Sequence, residues 1–130
     1  MFINRLTHGE RPTIFGDGMQ TRDFIHVDDL TNAIVKLASL SKPYAVSVAN
    51  VATQTQTSVL DVFNVINQHL VLAHHSPSVE PIFSSPRQGD IVHSYGSISK
   101  LKSIIDWQPQ VGLKEGLSVL IAHQKRRGSP

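Results

Sequence analysis

The sequence contains no cysteine, and only 17% of its 130 residues are charged. The absence of cysteine excludes disulfides, thiolate zinc sites and cysteine nucleophiles. The low charged fraction argues against a chain that charge repulsion keeps disordered, and no apolar run approaches the roughly 20 residues needed to cross a membrane. No basic-then-apolar leader opens the sequence, so we expect a cytoplasmic protein of a reducing compartment that does not contact a membrane.

Positive and negative charges nearly balance, with 12 lysines and arginines against 10 aspartates and glutamates. A nucleic-acid partner would require a stripe of cations along one face, whereas the positive excess here lies at the end of the chain, in Lys125-Arg126-Arg127. We therefore expect no nucleic-acid binding and a basic, frayed tail over residues 125–130. Hydrophobic residues make up 40% of the chain, enough for one globular domain with a sizeable core.

Hydrophobic periodicity predicts an α/β domain with short strands and about four helices. Residues 2–8 have the spacing of the last turns of a helix, which suggests a chain cut from something longer. Asp28 and Ser58 are the expected N-caps of two helices, and Ser58 with Asp61 forms a capping-box pattern. The other expected elements are strands at 13–15, 24–27, 44–51 and 82–83 and helices at 98–105 and about 112–123. The side chains expected to face inward are Leu30, Ala33, Ile34 and Leu37 in the helix after Asp28, and Leu113, Leu117, Leu120 and Ile121 in the last helix.

Several catalytic and cofactor motifs are missing. The Gly16-Asp17-Gly18 turn has no third glycine in register and opens no helix at once, so it is not a dinucleotide-binding fingerprint. No P-loop, HExxH or Gly-x-Ser-x-Gly occurs, and neither tyrosine is followed by lysine four residues later. The histidine pair His74-His75 lies in a polar loop without a nearby carboxylate. We expect no metal site and no catalytic residue in this chain.

Two loops carry the polar groups with the clearest binding chemistry. Arg22 follows the glycine-hinged turn, and Arg87 stands three residues before Asp90 in a Pro-Arg-x-Gly-Asp segment. Guanidinium groups suit phosphate oxygens, and a carboxylate can accept from the vicinal hydroxyls of a ribose. The two arginines can therefore bind a diphosphate and Asp90 a ribose, or Arg22 and Arg87 can form structural ion pairs with Asp23 and Asp90. The residues alone leave both interpretations open.

A longer pattern surrounds these two loops. It begins with Gly16-Asp17-Gly18-x-Gln20-x-Arg22-Asp23-Phe24-Ile25-His26-Val27-x-Asp29-Leu30 and continues, in order, with Asn50-Val51, Ser58-Val59-Leu60, Pro86-Arg87-x-Gly89-Asp90-Ile91, Ser99-Lys100, Trp107-x-Pro109 and Glu115-Gly116-Leu117. Together these segments resemble the extended short-chain dehydrogenase/reductase family of NAD-dependent epimerases and dehydratases, and within it the UDP-glucose 4-epimerase branch. The resemblance covers nearly the whole chain.

The resemblance implies that residues 1–124 form the nucleotide-sugar (substrate) binding domain of such an enzyme, truncated on its N-terminal side. The Rossmann half, with the NAD-binding loop and the catalytic tyrosine and lysine, would belong to an absent N-terminal part. The parent would be an NAD-dependent UDP-sugar 4-epimerase and a homodimer, whereas the isolated chain would be inactive. The strand at 44–51 would lose its neighbours in the missing sheet, so we expect the fragment to self-associate.

The resemblance also implies roles for individual residues. Arg22 and Arg87 match the family arginines on the UDP diphosphate, and Asp90 matches the carboxylate on the uridine ribose. Thr13 and Phe15 lie on the segment that lines the uracil. No residue of the chain matches a cofactor-binding, metal-binding or catalytic position of the family.

Ser94, four residues beyond Asp90, matches the position that borders the 2-substituent of the hexose. A small side chain there leaves room for an N-acetyl group, which implies use of UDP-N-acetylglucosamine beside UDP-glucose. A shift of one residue in the loop would place His93 or Tyr95 there instead. Two other interpretations stay open: a fragment of a UDP-glucuronate decarboxylase or dTDP-sugar 4,6-dehydratase, and a non-catalytic nucleotide-sugar binding module.

Overall fold

The computed structural model describes residues 2–41, 48–73 and 75–128, with side chains in the last helix as far as Gln124. The chain folds into short strands and helices in the order α1 (Phe2–Thr7), β1 (Thr13–Phe15), β2 (Thr21–Arg22), α2 (Val27–Ala38), β3 (Thr57–Ser58), α3 (Val59–Leu72), β4 (Ile82–Ser84), α4 (Ser99–Ile104) and α5 (Leu113–Gly128). Half of the strand expected at 44–51 lies outside the described residues, and residues 48–51 are not in a strand. No helix among the described residues is long and apolar enough to cross a membrane.

The strands form two small sheets. Strands β1 and β4 run parallel, with Phe15 opposite Ser84, and β2 pairs antiparallel with β3, with Arg22 opposite Thr57. The strand expected at 24–27 is therefore wrong, because the paired residues are Thr21 and Arg22. The Asp23 side chain explains the difference. The backbone N–H groups of residues 53 and 54 donate to its carboxylate, and so they do not pair with a neighbouring strand.

Helix α2 begins at Val27, two residues earlier than the sequence indicates. Its N-cap is His26, whose Nδ1 accepts from the backbone N–H of Asp28 at 3.3 Å, so the prediction of Asp28 as the cap is wrong. An imidazole nitrogen can accept this bond as a carboxylate oxygen would. Asp28 instead lies in the first turn, where its negative charge interacts favourably with the positive end of the helix dipole.

The Ser58–Asp61 capping box at the start of α3 is confirmed. Asp61 donates its backbone N–H to Ser58 Oγ at 2.9 Å, and Ser58 donates its own N–H to Asp61 Oδ2 at 3.2 Å. The buried side of α3 packs against α1, β1 and α5 to form the first core cluster. Its buried members are Ile3, Leu6, Ile14, Phe63, Ile66, Leu70 and Ile121.

A second core cluster joins α2 to α4 and the segment after it. Its buried members are Ala33, Ala52, Ile98, Leu101, Ile105 and Trp107. Asp29, although charged, is only 4% exposed. Its two oxygens accept the backbone N–H groups of Gln110 and Val111 at 2.9 and 3.0 Å. These bonds compensate the burial of the charge and fix the chain that leads into α5.

The predicted inward sides of α2 and α5 are only partly buried. Ala33 is buried, whereas Leu30 and Ile34 are 37% and 56% exposed. Likewise Ile121 is buried, and Leu120 is 43% exposed. Periodicity identifies the apolar side of a helix, but it does not say whether this chain supplies enough surface to cover it.

Helix α5 also continues past its predicted end at about residue 123 to Gly128, through much of the segment 125–130 that we expected to be frayed. Gln124 and the three cations that follow are good helix formers. Positive charge is favourable at the C-terminal end of a helix, where the dipole is negative. The extension therefore follows from local propensity.

We predict that the chain self-associates, because Val27, Leu30 and Ile34 recur at helical spacing on α2 and all are exposed. Sedimentation velocity over a range of concentrations should show a rising average mass. Ile34→Gln should shift the distribution toward monomer, whereas the control Asn32→Gln, at an exposed polar position of the same helix, should not. A wild-type monomer at all concentrations, with a sharp cooperative melt, would contradict this expectation.

Two glycines allow the destabilising effect of backbone strain to be measured apart from that of steric crowding. Gly9 and Gly18 both have positive φ, at 70° and 79°, so alanine at either should cost about 1–2 kcal/mol of unfolding free energy. A Cβ on Gly9 meets nothing within 4 Å, whereas one on Gly18 lies 3.1 Å from Leu60 Cβ and 3.2 Å from Ile14 Cγ2. Urea unfolding should therefore show Gly18→Ala as the more destabilising change, by about a further 1–3 kcal/mol. Equal losses would refute the crowding argument.

Candidate functional site

A large cavity lies where strands β1 and β4 end, and we call it the β1–β4 cavity. Because the two strands are parallel and Phe15 pairs with Ser84, the loops that follow them start side by side. The cavity has a volume of about 860 Å³ and is lined by both strand ends and by residues of both loops. The lining includes Phe15, Phe83, Arg87, Asp90 and His93.

Arg87 covers one aromatic side chain of this cavity. Its guanidinium carbon lies 4.0 Å from the centre of the Phe15 ring, within the range of a cation–π contact. The loop turns back at Gly89, where φ is 79°, and Asp90 donates its backbone N–H to the carbonyl of Arg87. Among the described residues Arg87 pairs with no carboxylate. It therefore presents an uncompensated positive charge at the cavity wall.

Arg22 has a different environment. Its Nη2 donates to Asp90 Oδ1 at 2.6 Å, and its Nη1 donates to the carbonyls of Ile91 and Thr21 at 2.6 and 2.8 Å. Neither of the two interpretations left open by the sequence includes this pair, because Arg22 bonds to Asp90 and not to Asp23. Arg22 thus fastens the second loop to β2, and it reaches the cavity through Asp90.

Asp23 is a structural residue that sequence reasoning did not identify. Its carboxylate accepts from the backbone N–H and the hydroxyl of Thr53 at 2.8 and 2.6 Å. It also accepts from the N–H groups of Gln54 and Gly96 at 2.9 and 3.4 Å. One side chain therefore ties β2 to two segments that lie far from it in sequence.

The structure brings three of the six expected ligand-binding residues into the cavity lining: Phe15, Arg87 and Asp90. Thr13 is two residues before Phe15 on β1, so it shares the same side of the strand, but it is not part of the lining. Ser94 is exposed and outside the lining. His93, which the sequence offered only as an alternative to Ser94, does line the cavity.

A second cavity, of about 470 Å³, lies between residues 24–28 and α5 and is mainly apolar. Gly116 is required there, because a Cβ on it would come within 2.9 Å of the His26 ring. No group of three or more metal-ligating side chains occurs in the described part of the chain. The β1–β4 cavity is therefore the candidate site.

The α/β architecture confirms the class expected from the sequence pattern, that of the extended short-chain dehydrogenase/reductases. The chain belongs to the family whose model is described as GDP-mannose 4,6 dehydratase, which matches residues 1–120. That match spans the β1–β4 cavity, the second core cluster and all of the first core cluster except Ile121.

Known relatives agree with this membership. The UDP-glucose 4-epimerase of Mycolicibacterium smegmatis is 34% identical over 118 residues, which are 91% of this chain and 36% of the relative. The structure of a Thermotoga maritima UDP-glucose 4-epimerase with UDP-glucose matches with a TM-score of 0.84 at 30% identity, over 98% of this chain and 39% of that one. A Bacillus cereus UDP-glucuronic acid 4-epimerase with UDP-glucuronic acid and NAD matches with a TM-score of 0.83 at 27% identity, over 98% of this chain and 40% of that one. The chain thus spans less than half the length of the proteins it matches.

Proposed function

We propose that this chain is the nucleotide-sugar binding part of a cytoplasmic, NAD-dependent UDP-sugar 4-epimerase, and that the nucleotide sugar occupies the β1–β4 cavity. The observation that carries the proposal is Arg87, a cation without a carboxylate partner among the described residues, stacked on Phe15 beside Asp90. An aromatic ring, a guanidinium and a carboxylate are complementary to a base, a diphosphate and a ribose. The volume of about 860 Å³ falls in the usual range of ligand sites.

Asp90 and Arg22 can serve the ligand without giving up their pair. Asp90 uses only Oδ1 for Arg22, which leaves Oδ2 for a ribose hydroxyl. Arg22 uses three N–H groups for Asp90 and two carbonyls, and a guanidinium has five. The remaining two are the groups that we assign to the diphosphate, together with the guanidinium of Arg87. Phe15 and, further along the same strand, Thr13 are assigned to the uracil side.

The dinucleotide cofactor belongs, in this proposal, to another part of the complete protein. The glycine turn at 16–18 leads into strand β2 rather than into a helix, so it lacks the helix N-terminus that holds a pyrophosphate in dinucleotide sites. NAD, when bound, would accept and return the hydride at the sugar. This chain binds and orients the nucleotide sugar, is inactive alone, and in the complete protein is part of a homodimer.

A nucleotide-sugar 4,6-dehydratase is the second candidate, favoured by the description of the matching family model. Mass spectrometry of the products made by the complete protein, as its gene encodes it, separates the candidates. With UDP-glucose an epimerase leaves the mass unchanged, and a dehydratase removes one water. With UDP-glucuronate a decarboxylase removes carbon dioxide. Binding of UDP-sugars without turnover by the complete protein would indicate a non-catalytic module.

We expect Arg87→Ala in the complete protein to weaken UDP binding by about 2–5 kcal/mol, because the anionic ligand loses a desolvated charge partner. The unfolding free energy should change little, since Arg87 makes no ion pair within the described residues. Arg22→Ala should weaken UDP binding over the same range and also destabilise the fold, since it leaves Asp90 unpaired. Titration calorimetry and urea unfolding measure the two effects.

Lys100→Ala is the matched control for the arginine variants. It removes the same charge from an exposed position on α4 and should leave UDP affinity within about twofold. Unchanged UDP affinity in both arginine variants would remove the diphosphate assignment.

The assignment of Ser94 to the hexose 2-substituent predicts dual use of UDP-glucose and UDP-N-acetylglucosamine. A pocket preference that depends on space for a small group is about 1–3 kcal/mol, so one sugar should not be used exclusively. Ser94→Tyr should reduce turnover of the N-acetylated sugar and spare UDP-glucose, and Ser94→Ala is its control. Equal turnover of the acetylated sugar by the tyrosine variant, or none by the wild type, would contradict the assignment.

A further inference from the structure

The backbone on both sides of His93 is fixed to β2. Thr21 donates its N–H to the carbonyl of Val92 at 2.8 Å, and Ser94 donates its N–H to the carbonyl of Thr21 at 3.1 Å. His93 is thereby bridged in parallel to Thr21. A residue held in this way cannot move away from the cavity wall without breaking both bonds, so its place in the lining is a property of the fold.

The side chain of His93 is held as well. Its Nδ1 lies 2.9 Å from Thr21 Oγ1, and the Thr21 hydroxyl donates toward Gln56 Oε1 at 3.4 Å. We assign the hydroxyl proton to the Gln56 bond, and on that assignment Nδ1 carries the ring proton and donates to Thr21 Oγ1. In this tautomer the other ring nitrogen, Nε2, is a hydrogen-bond acceptor. It has no partner in the described part of the chain.

We propose that His93 Nε2 accepts a hydrogen bond from a hydroxyl of the sugar in the bound nucleotide sugar, which makes His93 a specificity-determining residue and Thr21 its positioning residue. This inference rests on the proposed function, because it requires a nucleotide sugar in the β1–β4 cavity. It gives the sugar a contact from this chain that does not depend on Ser94.

The place of His93 in the loop supports a sugar rather than the nucleotide as its partner. His93 follows Asp90 by three residues and Arg87 by six, and all three line the cavity. Three residues of extended chain span up to about 10 Å, so His93 and Asp90 can contact different parts of one ligand.

The surroundings of His93 favour a neutral partner. Its neighbours in the loop, Ile91 and Val92, are apolar, and the charge of Asp90 is taken up by Arg22. No lysine or arginine of the described part of the chain makes a hydrogen bond or an ion pair with the His93 ring. A hydroxyl group, rather than a further phosphate, is therefore the complement of an acceptor nitrogen among apolar neighbours.

Calorimetric titration of the complete protein with UDP and, separately, with UDP-glucose tests the inference. His93→Leu keeps the bulk of the side chain and removes the acceptor, so UDP-glucose affinity should fall about 3- to 10-fold while UDP affinity stays within about twofold. His93→Gln, which retains an acceptor oxygen, should recover part of the loss. Thr21→Val should behave like His93→Leu in direction, and Thr21→Ser, which keeps the hydroxyl, should match the wild type.

The ratio of the two affinities identifies a ligand contact, because a purely structural role would change both ligands together. Parallel loss of UDP and UDP-glucose affinity, or no loss of either, in His93→Leu and Thr21→Val would overturn the role of His93 while leaving UDP binding through Arg87 in place. Failure of the wild type to bind either ligand would overturn the proposed function and this inference with it.

Discussion

The Asp23 carboxylate is the interaction on which the cavity depends. It accepts from Thr53 twice, from Gln54 and from Gly96, and so it holds three segments at one point. A hydrogen bond to a charged group contributes about 1.5–3 kcal/mol, so this cluster outweighs the short β2–β3 ladder beside it. Without it, the segment that ends at Gly96 and carries His93 would be attached to β2 only through Thr21 and Arg22. The cluster also explains why the chain leaves the sheet after Arg22, since the available donors are already bonded to a side chain.

The two arginines of the site have separate tasks, and the magnitudes of their contacts explain why. The Arg22–Asp90 pair is about a third exposed on each side, so its contribution to stability is small, about 1 kcal/mol or less; its main effect is to set the position of Asp90. The contact of Arg87 with Phe15 is a cation–π interaction, which contributes about 0.5–1 kcal/mol at an exposed site. A charge-assisted bond to a phosphate contributes more, about 1.5–3 kcal/mol. Arg87 can therefore replace its contact with Phe15 by a bond to a phosphate with a net gain in free energy, whereas Arg22 keeps its bond to Asp90.

The sequence predicts those features that depend on neighbouring residues. The capping box of α3 is an example, because Ser58 and Asp61 are three residues apart and need no other partner. The prediction of a strand at 24–27 is wrong because the backbone N–H groups of Thr53 and Gln54, about thirty positions away, bond to the Asp23 carboxylate. No local sequence pattern indicates such a long-range bond. The site follows the same division. Arg87 and Asp90 stand out in one loop, while the lining role of His93 and the Arg22–Asp90 pair arise only when the β1–β4 register brings the two loops together.

The location of the cavity is a consequence of topology more than of any motif. Ligands of open α/β sheets bind beyond the carboxyl ends of parallel strands, and here a sheet of only two parallel strands is enough to place two loops side by side. The register fixes Phe15 against Ser84, and the turn at Gly89 then returns the chain so that Arg87 and Asp90 line one space. The residues of strand β4 lie on the surface, with Ile82 44% and Phe83 53% exposed, so the strand contributes position and not core packing. Loop sequences can therefore change the lining of this space without disturbing either core cluster.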